Sequence, residues 1–132
     1  MSAVFVDTSA LLALLHAPDA HHGDAVRAFA RLEAERASLR TTSYVLVETY
    51  ASIGRRFGRE ALALFREEFA PLLDVTWVDE PLHEAGLDIL AGAPPGKLSV
   101  VDAVGFATMG ALMITRAFAY DEHFSERGYE LV

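Results

Sequence analysis

The 132-residue sequence contains no cysteine, so it forms neither a disulfide bond nor a thiolate metal site. Lys97 is its only lysine, and acidic residues exceed basic ones to give a formal net charge of −8. That charge argues against nonspecific nucleic-acid binding through the whole-protein field, but a local patch of arginines remains compatible with it. The longest hydrophobic run, residues 10–15, is too short to cross a bilayer, and residues 1–3 lack the basic start of a signal peptide. We therefore expect a cytoplasmic protein that makes no contact with the membrane.

Short hydrophobic runs alternate with longer amphipathic segments, and this alternation is typical of βαβ units with a parallel sheet. The hydrophobic runs predict strands at residues 4–6, 39–42, 75–78, 114–120 and 129–132. The other segments predict helices at residues 10–15, 19–36, 44–57, 59–69, 80–90, 99–113 and 121–127, with Ser43 as the N-cap of the third. We therefore expect one α/β domain spanning residues 1–132, with a parallel sheet of about five strands.

Asp7 stands at the end of the first predicted strand, directly before a hydrophobic helix. A charged side chain at the carboxyl end of a buried strand lies where open α/β sheets bind their ligands. The position also suits a helix N-cap, a role open to Asp7, Thr8 or Ser9. Asp7 is therefore a candidate for function, for capping, or for both.

Three further acids occupy hydrophobic surroundings that ordinary surface carboxylates avoid. Glu48 is predicted on or beside the hydrophobic face of its helix, where it is either paired, extended towards solvent, or functional. Asp102 lies three residues after Ser99, the spacing of a capping box. Asp121 ends the fourth predicted strand and is also a cap candidate. These acids fall at or near strand ends and helix starts, so we expect them to meet Asp7 at one edge of the sheet.

Carboxylates brought together in this way repel one another and need a cation. Oxygen ligands favour a hard divalent ion, Mg²⁺ or Mn²⁺, over zinc. Such an ion activates a bound water and neutralises charge on a phosphate, which is the chemistry of phosphodiester hydrolysis. The histidines show no metal-binding spacing, so we interpret them mostly as surface or packing residues; they are His16, His21, His22, His83 and His123.

The segments around these four acids resemble the motifs of PIN-domain ribonucleases. The resemblance is carried by residues 6–14 around Asp7, 43–49 around Glu48, 98–103 around Asp102 and 117–124 around Asp121, so it spans nearly the whole chain. It implies a three-layer sandwich, in which helices flank the central parallel sheet. One departure is Ala119, where many relatives carry Thr or Ser.

Stand-alone PIN domains of this size are similar to VapC-type toxins of type II toxin–antitoxin pairs. That resemblance implies an endoribonuclease that uses Mg²⁺ or Mn²⁺ and cleaves transfer RNA or ribosomal RNA. It also implies a cognate antitoxin protein and a homodimer. By the same resemblance Asp7, Glu48, Asp102 and Asp121 are the catalytic and metal-binding acids, with Thr8 and Ser9 as helpers.

Contacts with the RNA backbone must come mainly from arginine. Arg55, Arg56 and Arg59 cluster at the end of the Glu48 helix, and Arg116 is close to Asp121 in sequence. We expect these four to be the candidate phosphate contacts, against the alternative that they lie on solvated helix faces. Hydrophobic stretches at residues 43–53 and 99–113 predict a groove for an antitoxin helix, a homodimer interface, or simply core.

Other functions remain as alternatives. A phosphoacceptor receiver domain shares the fold class, but it needs adjacent acids after its first strand and a late-strand lysine, and Asp7 stands alone. A non-catalytic PIN module acting in protein interaction is a second alternative, and it predicts no metal binding. A PIN nuclease acting outside a toxin pair, in RNA processing or on DNA flaps, is the third.

Overall fold

Five parallel strands form the central sheet of the computed structural model, which describes residues 2–132. Their order across the sheet is β3-β2-β1-β4-β5. The strands are β1 (Ala3–Val6), β2 (Ser38–Thr42), β3 (Asp74–Thr76), β4 (Arg116–Phe118) and β5 (Glu130–Leu131). The predicted parallel sheet of about five strands is confirmed, although the later strands are shorter than their hydrophobic runs.

Within residues 2–132, seven α-helices connect the strands. They are α1 (Thr8–Leu15), α2 (His22–Glu35), α3 (Ser43–Phe57), α4 (Arg59–Leu64), α5 (Glu80–Ala91), α6 (Val100–Leu112) and α7 (Glu122–Glu126). Helix α4 continues into a wider π-helical turn at Phe65–Phe69 and a 3₁₀ turn at Ala70–Leu72. Across residues 2–132, every helix is too short or too polar to serve as a membrane span.

The central strand β1 is buried on both faces, as parallel sheets require. The side chain of Phe5 packs on the α6–α7 side, where its ring centroid lies 6.0 Å from that of Phe124. Val6 alternates to the other face and shares a small hydrophobic space with Leu11 of α1 and Phe29 of α2. Helices therefore cover both faces of the sheet, and the predicted three-layer arrangement is confirmed.

Two predicted helix starts are corrected by side-chain capping. The predicted start of α2 at Asp19 is wrong, because the Asp19 carboxylate accepts a hydrogen bond from the backbone of His21 (2.8 Å) and forms a turn instead. The predicted N-cap of α3, Ser43, is also wrong. Thr42 takes that role by accepting from the backbone of Val45 (3.1 Å), while Ser43 Oγ accepts from the backbone of Val78 (2.9 Å). Ser43 therefore ties the start of α3 to the segment after β3.

Helices α5 and α6 approach closely at Gly86, and this contact predicts a large stability effect. A Cβ atom at Gly86 would lie 2.4 Å from Cγ2 of Val104 and 2.9 Å from its Cα. We expect Gly86→Ala to lower the free energy of unfolding by about 1–3 kcal/mol, because backbone must move to admit the methyl group. Urea denaturation measures the change.

The matched control is Gly54→Ala on the exposed side of α3, where an added Cβ would meet nothing within 4 Å. That substitution should raise the free energy of unfolding by about 0.4–1 kcal/mol, because alanine restricts the unfolded chain. A Gly86→Ala protein as stable as the parent would contradict the close contact between α5 and α6.

Candidate active site

A cavity of about 540 Å³ opens where the carboxyl ends of β1 and β4 meet the starts of α1 and α7. Four segments build its walls: α1 with its cap, the middle of α3, the loop that leads into α6, and the start of α7. The lining residues are Asp7, Thr8, Ser9, Leu12, Glu48, Ala51, Ser52, Arg55, Lys97, Ser99, Asp102, Asp121 and His123. The fold therefore brings all four sequence-predicted acids to one cavity.

Asp7 is the most buried of the four acids, with 5% of its surface exposed. Its carboxylate caps α1 by accepting hydrogen bonds from the backbone N–H of Ser9 (3.2 Å) and from Ser9 Oγ (2.6 Å). Burial raises the pKa of Asp7 from 3.8 to about 6, the Ser9 hydrogen bonds oppose this, and the charges of Asp102 and Asp121 add to it. Asp7 therefore caps α1 and lines the acidic cavity at the same time.

The hydroxyl groups of Ser9 and Thr8 face different surroundings. Ser9 Oγ donates to Asp7 and accepts from the backbone N–H of Tyr120 (2.9 Å), so it links the carboxyl end of β1 to the segment after β4. Thr8 Oγ1 lies 3.0 Å from Thr49 Oγ1 of α3, although Thr8 also lines the cavity. Ser9 therefore orients a site carboxylate, whereas the hydroxyl of Thr8 joins α1 to α3.

Asp102, Asp121 and His123 form a tight cluster at the same cavity. The Nδ1 atom of His123 lies 3.1 Å from Asp102 Oδ2 and 3.0 Å from Asp121 Oδ1. One ligand atom from each residue lies within 4.8 Å of the other two, a spacing compatible with a shared metal ion. Asp121 also caps α7 through the backbone of His123 (2.9 Å), and Ser99 Oγ accepts from the backbone of Asp102 (3.1 Å). The capping roles again leave the carboxylates at the cavity.

Glu48 lines the cavity from α3 but is exposed. The sequence placed it on or beside the hydrophobic face, and the structure places it beside that face, since Val45 and Ser52 are buried while Glu48 is exposed. Its helical neighbours Ala51 and Ser52 line the same cavity, so Glu48 lies where the buried face of α3 meets open space. Glu48 therefore needs no buried partner for its charge.

The four candidate arginines separate in the structure. Arg55 lines the cavity, on α3 one helical turn beyond Ser52. The guanidinium of Arg56 lies 4.9 Å from the ring centroid of Phe57, and Arg59 is exposed at the start of α4. Arg116 is not brought to the site: it begins β4, whereas Asp121 follows the other end of that strand, and it donates to Glu35 (3.3 Å) and Ser2 (3.0 Å).

Sequence reasoning missed His123 and Lys97. The sequence pattern favours a surface or packing role for His123, because no second histidine stands at metal-binding spacing. The available signal was its place two residues after Asp121, since the side chain at that position of a capping turn lies beside the capping carboxylate. Lys97 lies in an irregular loop, where no periodicity points to a face, yet it supplies a positive charge to the cavity.

Comparisons with known proteins agree with the fold and identify the family. The sequence matches the PIN-domain family over residues 4–128. It is 35% identical over 127 residues to the 23S rRNA-specific endonuclease VapC20 of Mycobacterium tuberculosis, covering 96% of this chain and 95% of that protein. The fold superimposes on the crystal structure of the same VapC20, described as a sarcin–ricin loop cleaving toxin, with a TM-score of 0.82, 34% identity, and coverage of 96% of this chain and 95% of that chain.

A more distant likeness supports the fold alone. A toxin–antitoxin complex from Klebsiella pneumoniae matches with a TM-score of 0.69 and 14% identity, over 98% of this chain and 95% of that chain. The family match spans nearly the whole sequence, includes all four cavity acids, and agrees with the five-stranded parallel sheet. The chain therefore belongs to the PIN-domain family.

Proposed function

We propose that this chain is a divalent-metal-dependent endoribonuclease and the toxin of a toxin–antitoxin pair. The observation that carries the proposal is the meeting of Asp7, Glu48, Asp102 and Asp121, from four separate segments, at one cavity. The 35% identity to an rRNA-specific endonuclease over 96% of the chain supports RNA as the substrate. The reaction is hydrolysis of a phosphodiester bond, and the proposed activity is cytoplasmic.

The residues at the cavity fit a hard divalent ion. Asp7, Asp102 and Asp121 are near enough for the charges of the last two to raise the pKa of the first, which is the behaviour of a cluster that needs a cation. Carboxylate oxygens favour Mg²⁺ or Mn²⁺, and Glu48 adds a fourth from the α3 wall. A bound ion would supply Lewis-acid activation of water and neutralisation of charge on the phosphate.

The chain's own residues supply orientation and positive charge. Ser9 fixes the Asp7 carboxylate through its 2.6 Å hydrogen bond, and the helix caps fix Asp121 at the start of α7. Arg55 and Lys97 line the same cavity as the acids. Because the whole protein carries a net charge of −8, these two cations offset part of the repulsion between an approaching phosphate and the carboxylates.

The substrate class and partners follow from the relatives. Because the mycobacterial relative is specific for 23S rRNA, ribosomal RNA is the proposed substrate class of this chain, with transfer RNA as the alternative. An antitoxin encoded alongside is the proposed protein partner, because the structure of the mycobacterial relative is described as that of a toxin. We also propose that the chain forms a homodimer.

The test is cleavage by the purified chain, free of antitoxin, of ribosomes, 23S rRNA and total transfer RNA. The account predicts cuts at defined positions with Mg²⁺ or Mn²⁺ and none with a chelator, and primer extension maps the site. Metal-independent cutting would contradict the proposed role of the divalent ion, and no cutting of any of these RNAs would argue for a non-catalytic interaction module.

Arg55 provides a separate prediction about RNA binding. We expect Arg55→Gln to weaken binding of the cleaved RNA and to reduce the slope of log K against log salt concentration by about 0.7–1, because one phosphate contact is lost. Fluorescence anisotropy in Ca²⁺ at several salt concentrations measures the slope. Arg56→Gln is the matched control, since Arg56 is the next residue but packs on Phe57. Equal slopes for the two variants would remove Arg55 from the proposed interface.

A further inference from the structure

A second cavity adjoins the first and shares two of its residues. This side pocket has a volume of about 220 Å³ and is lined by the loop before α6 and by α7. Lys97 and His123 belong to both cavities. The His123 ring is the dividing wall, because its Nδ1 atom lies 3.0 Å from Asp121 on the carboxylate side.

The side pocket has hydrophobic walls and positive charge at its edge. Ala93, Pro94 and Leu98 form the walls, and Lys97 and Arg127 are exposed beside them. Neither cation takes part in an ion pair within residues 2–132, in contrast to Arg27, Arg40 and Arg116. The guanidinium of Arg127 lies 4.8 Å from the ring centroid of Phe106, which holds it at the pocket. Glu126 is the one acid among the lining residues.

The size and chemistry of the pocket select its occupant. Pockets for drug-sized ligands run to roughly 300–1,000 Å³, so a volume of about 220 Å³ suits a single ring system. Hydrophobic walls beside unpaired cations suit a flat aromatic group that is attached to a phosphate. A nucleobase in a nucleic-acid strand has both properties.

Continuity with the carboxylate cavity fixes which base this would be. A strand whose scissile phosphate lies at the carboxylates must place its neighbouring nucleotide within one nucleotide's length of Asp121. We propose that the side pocket binds the base of the nucleotide adjoining the scissile phosphate, and that Lys97 and Arg127 contact the backbone of that strand. This inference rests on the proposed ribonuclease function. It adds a subsite that gives the enzyme a preference for the base beside the cleaved bond.

The first arm of the test measures nucleotide binding without cleavage. The metal-free chain is titrated with each of the four nucleoside 5′-monophosphates while the methyl resonances of Ala93 and Leu98 are followed by NMR. We expect at least one nucleotide to shift both resonances, and Arg127→Gln to weaken that binding relative to the exposed control Arg66→Gln. No shift with any of the four nucleotides would overturn the proposal.

The second arm measures cleavage with the pocket filled. Ala93→Phe places an aromatic ring in the pocket, and Ala91→Phe adds the same ring at the exposed end of α5 as the control. The substrate is a 23S rRNA sarcin–ricin loop hairpin. We expect Ala93→Phe to raise KM about tenfold with little change in kcat, and Ala91→Phe to leave both KM and kcat unchanged. An unchanged KM for Ala93→Phe, with or without weakened antitoxin binding, would overturn the proposal.

The two arms separate failure of the subsite from failure of the proposed function. A parent protein that binds nucleotides at Ala93 and Leu98 but cleaves no RNA would refute the ribonuclease function and leave the base pocket standing. A parent protein that cleaves RNA, with a KM that Ala93→Phe leaves unchanged, would refute the pocket and leave the function standing.

Discussion

Replacing Asp7 with asparagine is expected to lower the rate of RNA cleavage by at least about a hundredfold, because loss of residues that merely support metal ligands already costs roughly 10–100-fold. Asparagine keeps an oxygen that accepts the two Ser9 hydrogen bonds, so the cap of α1 persists. The change therefore removes negative charge from the acidic cluster while preserving shape. Single-turnover cleavage of the mapped RNA measures the loss.

The control for this prediction is Asp88→Asn on the exposed face of α5, outside the cavity. It changes net charge by the same amount, so it separates loss of the site from weaker overall repulsion of RNA. We expect its cleavage rate to stay close to that of the parent. An Asp7→Asn protein that cleaves as fast as Asp88→Asn would remove Asp7 from the catalytic machinery.

The same substitution should stabilise the metal-free protein, which is the second large effect. The pKa of Asp7 is about 6 in the folded chain, compared with an ordinary value of 3.8. Below pH 3.8 the carboxyl is protonated in both states, and between the two values only the unfolded chain gives up the proton. The free energy of unfolding therefore falls as the pH rises from 3.8 to about 6. The total loss is about 3 kcal/mol, because each unit of difference between the two pKa values is worth roughly 1.4 kcal/mol.

Asparagine carries no such charge, so Asp7→Asn should exceed the parent in free energy of unfolding by about 3 kcal/mol at pH 8 in chelator. The difference should shrink as pH falls through 6 and vanish below 3.8. Urea denaturation at pH 8, 6 and 4 measures it, and Asp88→Asn should stay within about 0.5 kcal/mol of the parent throughout. Equal stability of Asp7→Asn and the parent at pH 8 would show that burial and neighbouring acids do not raise the pKa of Asp7.

The order of strands and helices was predictable because short hydrophobic runs alternate with longer amphipathic segments along this chain. The sheet core around β1 follows from a run of residues that suits a strand buried on both faces. Helix boundaries were less predictable because side-chain caps decide them locally. Ser43 and Thr42 have equivalent hydroxyls, and only the position of Val78, distant in sequence, decides that Thr42 is the cap.

Three of the site acids were predictable for a physical reason. Asp7, Asp102 and Asp121 stand at or near strand ends and helix starts, and a parallel sheet collects such positions at one edge. The choice between cap and functional residue could not be made from sequence, and the structure shows why: the same Asp7 and Asp121 carboxylates cap helices and face the cavity.

The rest of the site depends on distances that sequence does not encode. Arg116 is five residues from Asp121 in sequence, yet it begins β4 and pairs with Glu35 beyond the opposite end of that strand. Lys97 has no acidic neighbour in its loop but reaches the cavity because the loop folds back beside α7. His123 depends on a turn that brings its ring between two carboxylates from different helices.

The central claim is that the four carboxylates hold a divalent cation, and Mn²⁺ binding followed by electron paramagnetic resonance tests it most directly. The account predicts that the full chain binds Mn²⁺, that Asp7→Asn and Asp102→Asn each weaken binding at least about tenfold, and that Asp88→Asn leaves it unchanged. No Mn²⁺ binding by the parent protein, or equal Mn²⁺ binding by all three variants, would contradict the claim that these carboxylates hold the ion.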